Sequence, residues 1–134
     1  PMVEINAYSK AKDGGKKLSA NFTVKEFACK DGSDAVLTAP RLVMVLQSIR
    51  SHFAAPVVIH SAYRTPQYNA KVGGAAHSQH CYGTAADISV RGQTPAAVAA
   101  YARQLMPDWG GVGEYAGQGF THIDVREARA DWTG

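Results

Sequence analysis

The stretch Ser78-Gln79-His80-Cys81-Tyr82-Gly83-Thr84-Ala85-Ala86-Asp87 decides how the rest of the chain is read. It joins an imidazole, His80, to a carboxylate, Asp87, through small residues that let the backbone turn closely. From Ala85 onward the pattern is that of a strand. Ala86, Ile88 and Val90 alternate with Asp87 and Ser89, so the apolar set faces a core and Asp87 faces a cleft. Far downstream, Phe120-Thr121-His122-Ile123-Asp124-Val125 repeats the device: Thr121 and Ile123 on one face, His122 and Asp124 on the other. Two His and one Asp suffice as the protein ligands of a catalytic zinc, which needs three and an open position. The bland alternative for His80 and Asp87 is a capped turn with a surface histidine.

Working outward, Thr23 and Glu26 form a capping-box pair flanked by Phe22 and Phe27 at staple positions, so a short helix starts there and Lys30–Asp34 breaks it. Thr38-Ala39-Pro40 opens the main helix, with Leu42, Leu46, Ile49 and Phe53 on one line. Pro56–Ser61 is expected as a mostly buried strand, and Pro66 to Lys71 as one or two helical turns. Thr94-Pro95 starts a second helix, stopped by Pro107. Gly110–Tyr115 and Phe120–Val125 form a hairpin around Ala116–Gly119. Near the start, Val3, Ile5 and Ala7 alternate with polar residues as in a short strand. The expected architecture is one α+β domain over 1–134, with a small antiparallel sheet and flanking helices: an N-terminal extension over 1–20 and a core over about 20–132.

The bulk properties agree. A chain of 134 residues with 46% hydrophobic and 19% charged residues suits one globular domain. Net charge is +3, and the lysines are scattered apart from Lys16-Lys17, so no nucleic-acid footprint is expected. No apolar run spans a membrane. No signal peptide is visible, and the unusual start Pro1-Met2 leaves room for an export signal upstream. Cys29 and Cys81 set no disulfide framework; they are free thiols or one disulfide.

Taken together, Ser78-x-His80-x-x-Gly83-x-Ala85-x-Asp87 resembles the signature of the zinc D-Ala-D-Ala carboxypeptidase family of peptidoglycan metallopeptidases (peptidase family M15). Ser61-Ala62-Tyr63-Arg64-Thr65 resembles its S-G-Y-R-T, Phe27-Ala28-Cys29-Lys30-Asp31-Gly32 its F-x-C-x-D-G, and Gly111-Val112-Gly113 with His122–Arg126 its last strands. The resemblance covers residues 20 to 132 and is to the short type, with the catalytic domain alone. It implies the hedgehog/D-Ala-D-Ala-peptidase fold. It also implies Zn2+ on His80, Asp87 and His122, Arg64 on the substrate carbonyl or carboxylate, and Ser78 as a nearby hydrogen-bond donor. Zinc would activate water by lowering its pKa toward about 7.

The departure is at Gly119, where many relatives carry an acidic base three residues before the last histidine. If the chain turns over substrate, another carboxylate must then serve, or else zinc hydroxide itself or a residue from a loop. Asp124 shares a face with His122, and is either the base or a group that orients His122; Glu114, on the partner strand, is either the rival base or a solvated edge residue. Arg64 has a bland alternative as a surface ion pair. His60 is expected to be a satisfied core histidine or one that supports a ligand from behind, His52 to sit at a helix end, and His77 to be a loop residue; Tyr82 and Tyr115 pack or line a substrate cleft, and Trp109 and Trp132 close the core or hold the C-terminus. The expected activity is hydrolysis of peptidoglycan stem peptides or cross-links, by a monomer in a periplasmic, extracellular or phage-associated setting. A zinc-retaining, non-hydrolytic wall-binding or interaction module is the alternative.

Overall fold

The computed structural model describes residues 3–134, so the expectation attached to Pro1-Met2 lies outside the described residues. In chain order the elements are β1 (Asn6–Ser9), α1 (Lys10–Asp13), β2 (Lys17–Ser19), β3 (Phe22–Thr23), a 3-10 turn (Val24–Phe27), β4 (Ala35–Thr38), α2 (Pro40–Phe53), β5 (Val57–Ser61) and α3 (Pro66–Lys71). A second 3-10 turn (Gln79–Tyr82), β6 (Ala85–Val90), α4 (Pro95–Leu105), β7 (Gly111–Tyr115), β8 (Phe120–Asp124) and β9 (Ala130–Thr133) follow. The main sheet has the order β5-β6-β8-β7-β9 and is antiparallel except for the parallel β7–β9 pair. Two small antiparallel pairs, β1–β4 and β2–β3, lie beside it. The mixed α and β architecture with small, mainly antiparallel sheets agrees with expectation; the parallel C-terminal strand is an addition to it.

One face of the sheet is dry. Ala86, Ile88 and Val90 of β6, Ile123 of β8 and Val112 of β7 are buried against α2 and α4, which supply Leu42, Leu46, Ile49, Val98 and Ala102. Each large side chain buried here contributes roughly 1.5–3 kcal/mol. Because side chains alternate, the residues between these apolar ones must emerge on the other face. That face carries Asp87, His122 and Asp124.

Local signals explain the framework. Glu26 Oε2 accepts from the Thr23 N–H at 2.6 Å and from the Thr23 hydroxyl at 3.1 Å, and Phe22 and Phe27 pack with ring centroids 6.3 Å apart. This is the capping box and its staple, closing a 3-10 turn. Pro40 and Pro95 open α2 and α4 in the first helical turn, where a missing N–H costs nothing.

Two expected strands differ. The N-terminal strand begins at Asn6, and pairing Asn6 with Thr38 leaves Ala7 exposed and turns Tyr8 inward. Strand β5 is not mostly buried: it is the sheet's edge, with Val58 51% exposed and His60 exposed. His60 is therefore no core histidine, and its Nε2 meets Ser89 Oγ at 2.7 Å at the surface. His52 stacks on Tyr101 at 3.7 Å in the last turn of α2. Trp109 is half-buried against the core with Arg41 over its ring at 5.1 Å.

Candidate metal centre

Strand pairing places the first two donors. Asp87 of β6 lies directly opposite His122 of β8, and Asp87 Oδ1 is 3.0 Å from His122 Nδ1. The third donor comes from the 3-10 turn. The Ser78 hydroxyl caps it, accepting from the His80 N–H at 3.2 Å, and Gly83 ends it at φ +76°. A Cβ at Gly83 would stand 2.6 Å from the Leu37 carbonyl oxygen, so both the backbone angle and the space require glycine. His80 Nε2 then comes to 3.3 Å from Asp87 Oδ2. All three residues are buried, and one donor atom from each lies within 4.8 Å of the others.

The neighbours decide which nitrogen of each ring is free. His80 Nδ1 is 2.7 Å from the Ala62 carbonyl oxygen, which can only accept, so Nδ1 carries the proton and Nε2 offers its lone pair. His122 Nε2 is 2.8 Å from Asp124 Oδ2, so Nε2–H donates there and Nδ1 faces Asp87. Each imidazole is thus held from behind by a carbonyl or carboxylate, the arrangement by which metal-binding histidines are oriented. The donor set fits a divalent metal of the zinc type.

Without metal the cluster is tightly charged. Burial opposes ionisation of Asp87, but hydrogen bonds from His122 and His80 outweigh it and hold its carboxyl well below the usual range. Burial likewise opposes a charged His122, yet the carboxylates of Asp124 and Asp87 on its two nitrogens raise its pKa. Asp124 is fully buried; there too burial is overcome, by hydrogen bonds from His122 and Arg126, and its pKa falls well below the ordinary value.

The Asp124 geometry removes it from the role of base. Its Oδ2 accepts from His122 Nε2 and from Arg126 Nη2 at 2.7 Å. Its Oδ1 accepts from Arg126 Nε at 2.8 Å and from the Arg126 N–H at 3.1 Å. With four donors on two oxygens it has no lone pair available at its depressed pKa. It positions His122 instead. Glu114 is also misplaced for that role. The register sets Gly113, not Glu114, opposite His122, so Glu114 leaves on the other face and pairs with Arg103 at 2.9 Å.

Arg64 lines the cleft beside Asp87. Its Nε donates to Ser61 Oγ at 3.0 Å, Nη1 to Asn69 Oδ1 at 3.2 Å, and Nη2 lies 3.4 Å from Asp87 Oδ2. A register shift in β5 brings Ser61 opposite Asp87 and so aims this anchor at the site. Ser78 lines the same cleft, with its own hydroxyl proton uncommitted among the described residues. Gly119 sits at φ +79° in the exposed β7–β8 turn, a conformation that suits glycine rather than an acid.

Sequence reading offers Tyr115 as a cleft residue, which it is, but misses Trp132 and Arg126 in the wall of the site. Trp132 of β9 stands 5.1 Å from the His122 ring, and Arg126 lies over its indole at 5.4 Å. Its Nε1 donates to Tyr115 Oη at 2.8 Å. The signal was Gly111-Val112-Gly113: a Cβ at Gly111 would fall onto the Asp124 carboxylate, and one at Gly113 onto the Trp132 indole. The two glycines exist to admit those side chains.

These groups border a cleft of about 530 Å³ in which, among its lining residues, Asp87 is the only carboxylate. A separate hollow of about 550 Å³ between β1, β4 and α2 is lined by no carboxylate, imidazole or guanidinium, so the chemistry resides in the cleft. Cys29 and Cys81 are free thiols, and burial pushes the Cys81 pKa up. No described helix is long and apolar enough to cross a membrane.

A family model described as Peptidase M15 matches residues 18–124, most of the chain and all three metal-type donors. No curated protein matches it.

Proposed function

The chain belongs to the peptidase M15 family of metal-dependent peptidases, and from that premise we propose that it is a zinc peptidase cutting the stem peptides or cross-links of peptidoglycan. The observation that carries the reading is the His80–Asp87–His122 cluster, with one nitrogen of each ring locked as donor and the other turned toward Asp87. The hedgehog/D-Ala-D-Ala-peptidase fold, a monomeric state and a periplasmic, extracellular or phage-associated setting belong to the same proposal.

When bound, zinc would supply Lewis acidity and an activated water. The protein's own groups do the rest. His80 and His122 are oriented from behind by Ala62 and Asp124 and need not reorganise. Arg64, fixed by Ser61 and Asn69, places positive charge beside Asp87, where an oxyanion developing from the scissile carbonyl would be stabilised. Asp87 would be a ligand and Asp124 is saturated, which leaves an imidazole that is not a ligand as our candidate proton acceptor. His77 lines the cleft and no ligand role claims it.

A second reading has one observation in its favour: the cleft lining offers no free carboxylate base. On it, the same fold keeps zinc and binds cell wall without hydrolysis. Digestion of purified peptidoglycan, with and without chelator, separates the two. New amino termini that vanish with chelator and return with zinc support the peptidase. Zinc-dependent binding with no new termini supports the binding module.

A further inference from the structure

We propose that the hollow between β1, β4 and α2 is a binding site for an uncharged glycan, a segment of N-acetylated pyranose chain. The choice of an N-acetylated sugar rests on the peptidase reading, because the stem peptides of peptidoglycan hang from such a chain.

The deciding group is Thr38. It lines the hollow and is 2% exposed. Among the described residues, its Oγ1 is the one buried side-chain nitrogen or oxygen without a hydrogen-bond partner. A buried hydroxyl left unpaired is costly, and an acceptor on a ligand in the hollow would supply the missing bond. Strand pairing puts it there: Thr38 lies opposite Asn6 in the β1–β4 ribbon, and both residues line the hollow.

The lining excludes a charged ligand. It holds no carboxylate, imidazole, guanidinium or ammonium group, so an ion would lose its water and meet no opposite charge. It offers neutral polar groups on Asn6, Ser48 and Ser51 around the apolar side chains of Leu18, Val43 and Met44. A pyranose ring has the same division, with apolar C–H faces inside a rim of hydroxyls. An acetamido group adds a carbonyl acceptor and a methyl. The volume of about 550 Å³ falls within the range of ligand pockets.

One wall is fixed before any ligand arrives. Gln47 Oε1 accepts from the Ser19 hydroxyl at 2.7 Å and from the Asn21 N–H at 3.0 Å. Its Nε2 donates to Asn21 Oδ1 at 2.8 Å and to Ser51 Oγ at 3.3 Å. Ser51 therefore accepts from Gln47, and its own proton, like that of Thr38, is left for an acceptor in the hollow. Donors held in place in this way lose little freedom on binding. Met44, 69% exposed, leaves an apolar side chain for the sugar to cover.

The same segment touches the turn of His80. The Ala39 N–H donates to the Gly83 carbonyl at 2.9 Å, and the Leu37 carbonyl oxygen is what a Cβ at Gly83 would strike. A glycan in the hollow thus lies one strand from the turn that presents His80, and the peptides it carries are kept near the cleft.

Calorimetric titration of the metal-free chain with tetra-N-acetylchitotetraose tests the site apart from turnover. Wild type should bind it saturably, and more tightly than it binds tetragalacturonic acid. Thr38→Val keeps the shape and removes the orphaned hydroxyl. It should weaken binding about two- to tenfold, as for one neutral hydrogen bond, and should raise the melting temperature, because the free protein no longer buries an unpaired group. Met44→Glu, at an exposed position of α2, should weaken binding severalfold and serves if Thr38→Val folds poorly. Absence of saturable binding by wild type overturns the proposal, as does equal or tighter binding of the galacturonate, or an affinity that neither substitution changes. In the zinc-loaded protein, Thr38→Val should slow digestion of whole peptidoglycan and leave cleavage of a glycan-free stem peptide unchanged; equal slowing of both overturns the proposal. Saturable sugar binding without hydrolysis of either substrate supports the glycan site and refutes the peptidase reading, whereas hydrolysis of both without sugar binding refutes the glycan site alone.

Discussion

Asp124→Asn separates a base from a positioning group. The carboxylate takes four hydrogen bonds, three from the charged side chains of His122 and Arg126. Asparagine keeps one carbonyl oxygen and turns an NH2 toward groups that are themselves donors. At least one charge-assisted bond is lost and another becomes repulsive, each worth about 1.5–3 kcal/mol. The Arg126 side chain is 31% exposed and regains water, which offsets part of the loss. The net cost is about 2–4 kcal/mol, or on the order of 10 °C in melting temperature. The His122 ring also loses its anchor, and removal of such a partner weakens metal binding by about 10–100-fold. Competition titration with a chromogenic chelator, a thermal melt, and a pH–rate profile at saturating zinc read these effects. The acid limb of the profile should survive in Asp124→Asn and disappear in His77→Gln. If Asp124→Asn instead binds zinc like wild type, loses about 10²–10⁴-fold in turnover and loses the acid limb, Asp124 is the base and the saturated-carboxylate argument is wrong.

Gly113→Ala should cost about 1–3 kcal/mol by overpacking, because the new Cβ would lie 2.5 Å from Trp132 Nε1; in a Trp132→Leu background the cost should shrink, and denaturant melts giving equal costs in both backgrounds would remove the steric account. Glu114→Gln breaks only a partly exposed pair with Arg103, which also holds Asp131, so stability should fall by about 0–1 kcal/mol and turnover should stay within about twofold; a larger turnover loss returns Glu114 to the mechanism. The raised pKa of His122 sets a pH trend. In the metal-free protein its stabilising contribution is full below its unfolded pKa of about 6.5 and is lost as pH rises through the higher folded value. Metal must displace that same proton, so zinc affinity should fall about tenfold per pH unit below the folded pKa, and a pH-independent affinity from calorimetry between pH 6 and 8 would contradict it.

The site divides according to the range of the interactions that make it. Ser78, His80, Gly83 and Asp87 sit within ten consecutive residues, and their roles follow from a cap, a turn and the period of one strand. The same period put His122 and Asp124 on one face, and the proline and capping-box signals opened α2, α4 and the Val24–Phe27 turn. All of these were legible in the amino-acid order, because they depend on neighbours a few residues apart.

What the order left open depends on which segments lie side by side. A register one residue different would have set Glu114 across from His122; the observed pairing sets Gly113 there and sends Glu114 to the other face. Periodicity constrains each strand's faces but not the offset between strands. Likewise the chain shows Asp124 beside His122, but only the folded backbone brings Arg126 onto both Asp124 oxygens and turns a candidate base into an anchor. The apolar run of β5 suggested burial, whereas its place at the sheet edge exposes it. Trp132 reaches His122 because β9 adds in parallel beside β7 and Gly113 leaves room for the indole. Local periodicity determined the donors of the centre; long-range pairing and steric space, which no short window of sequence contains, decided what surrounds them.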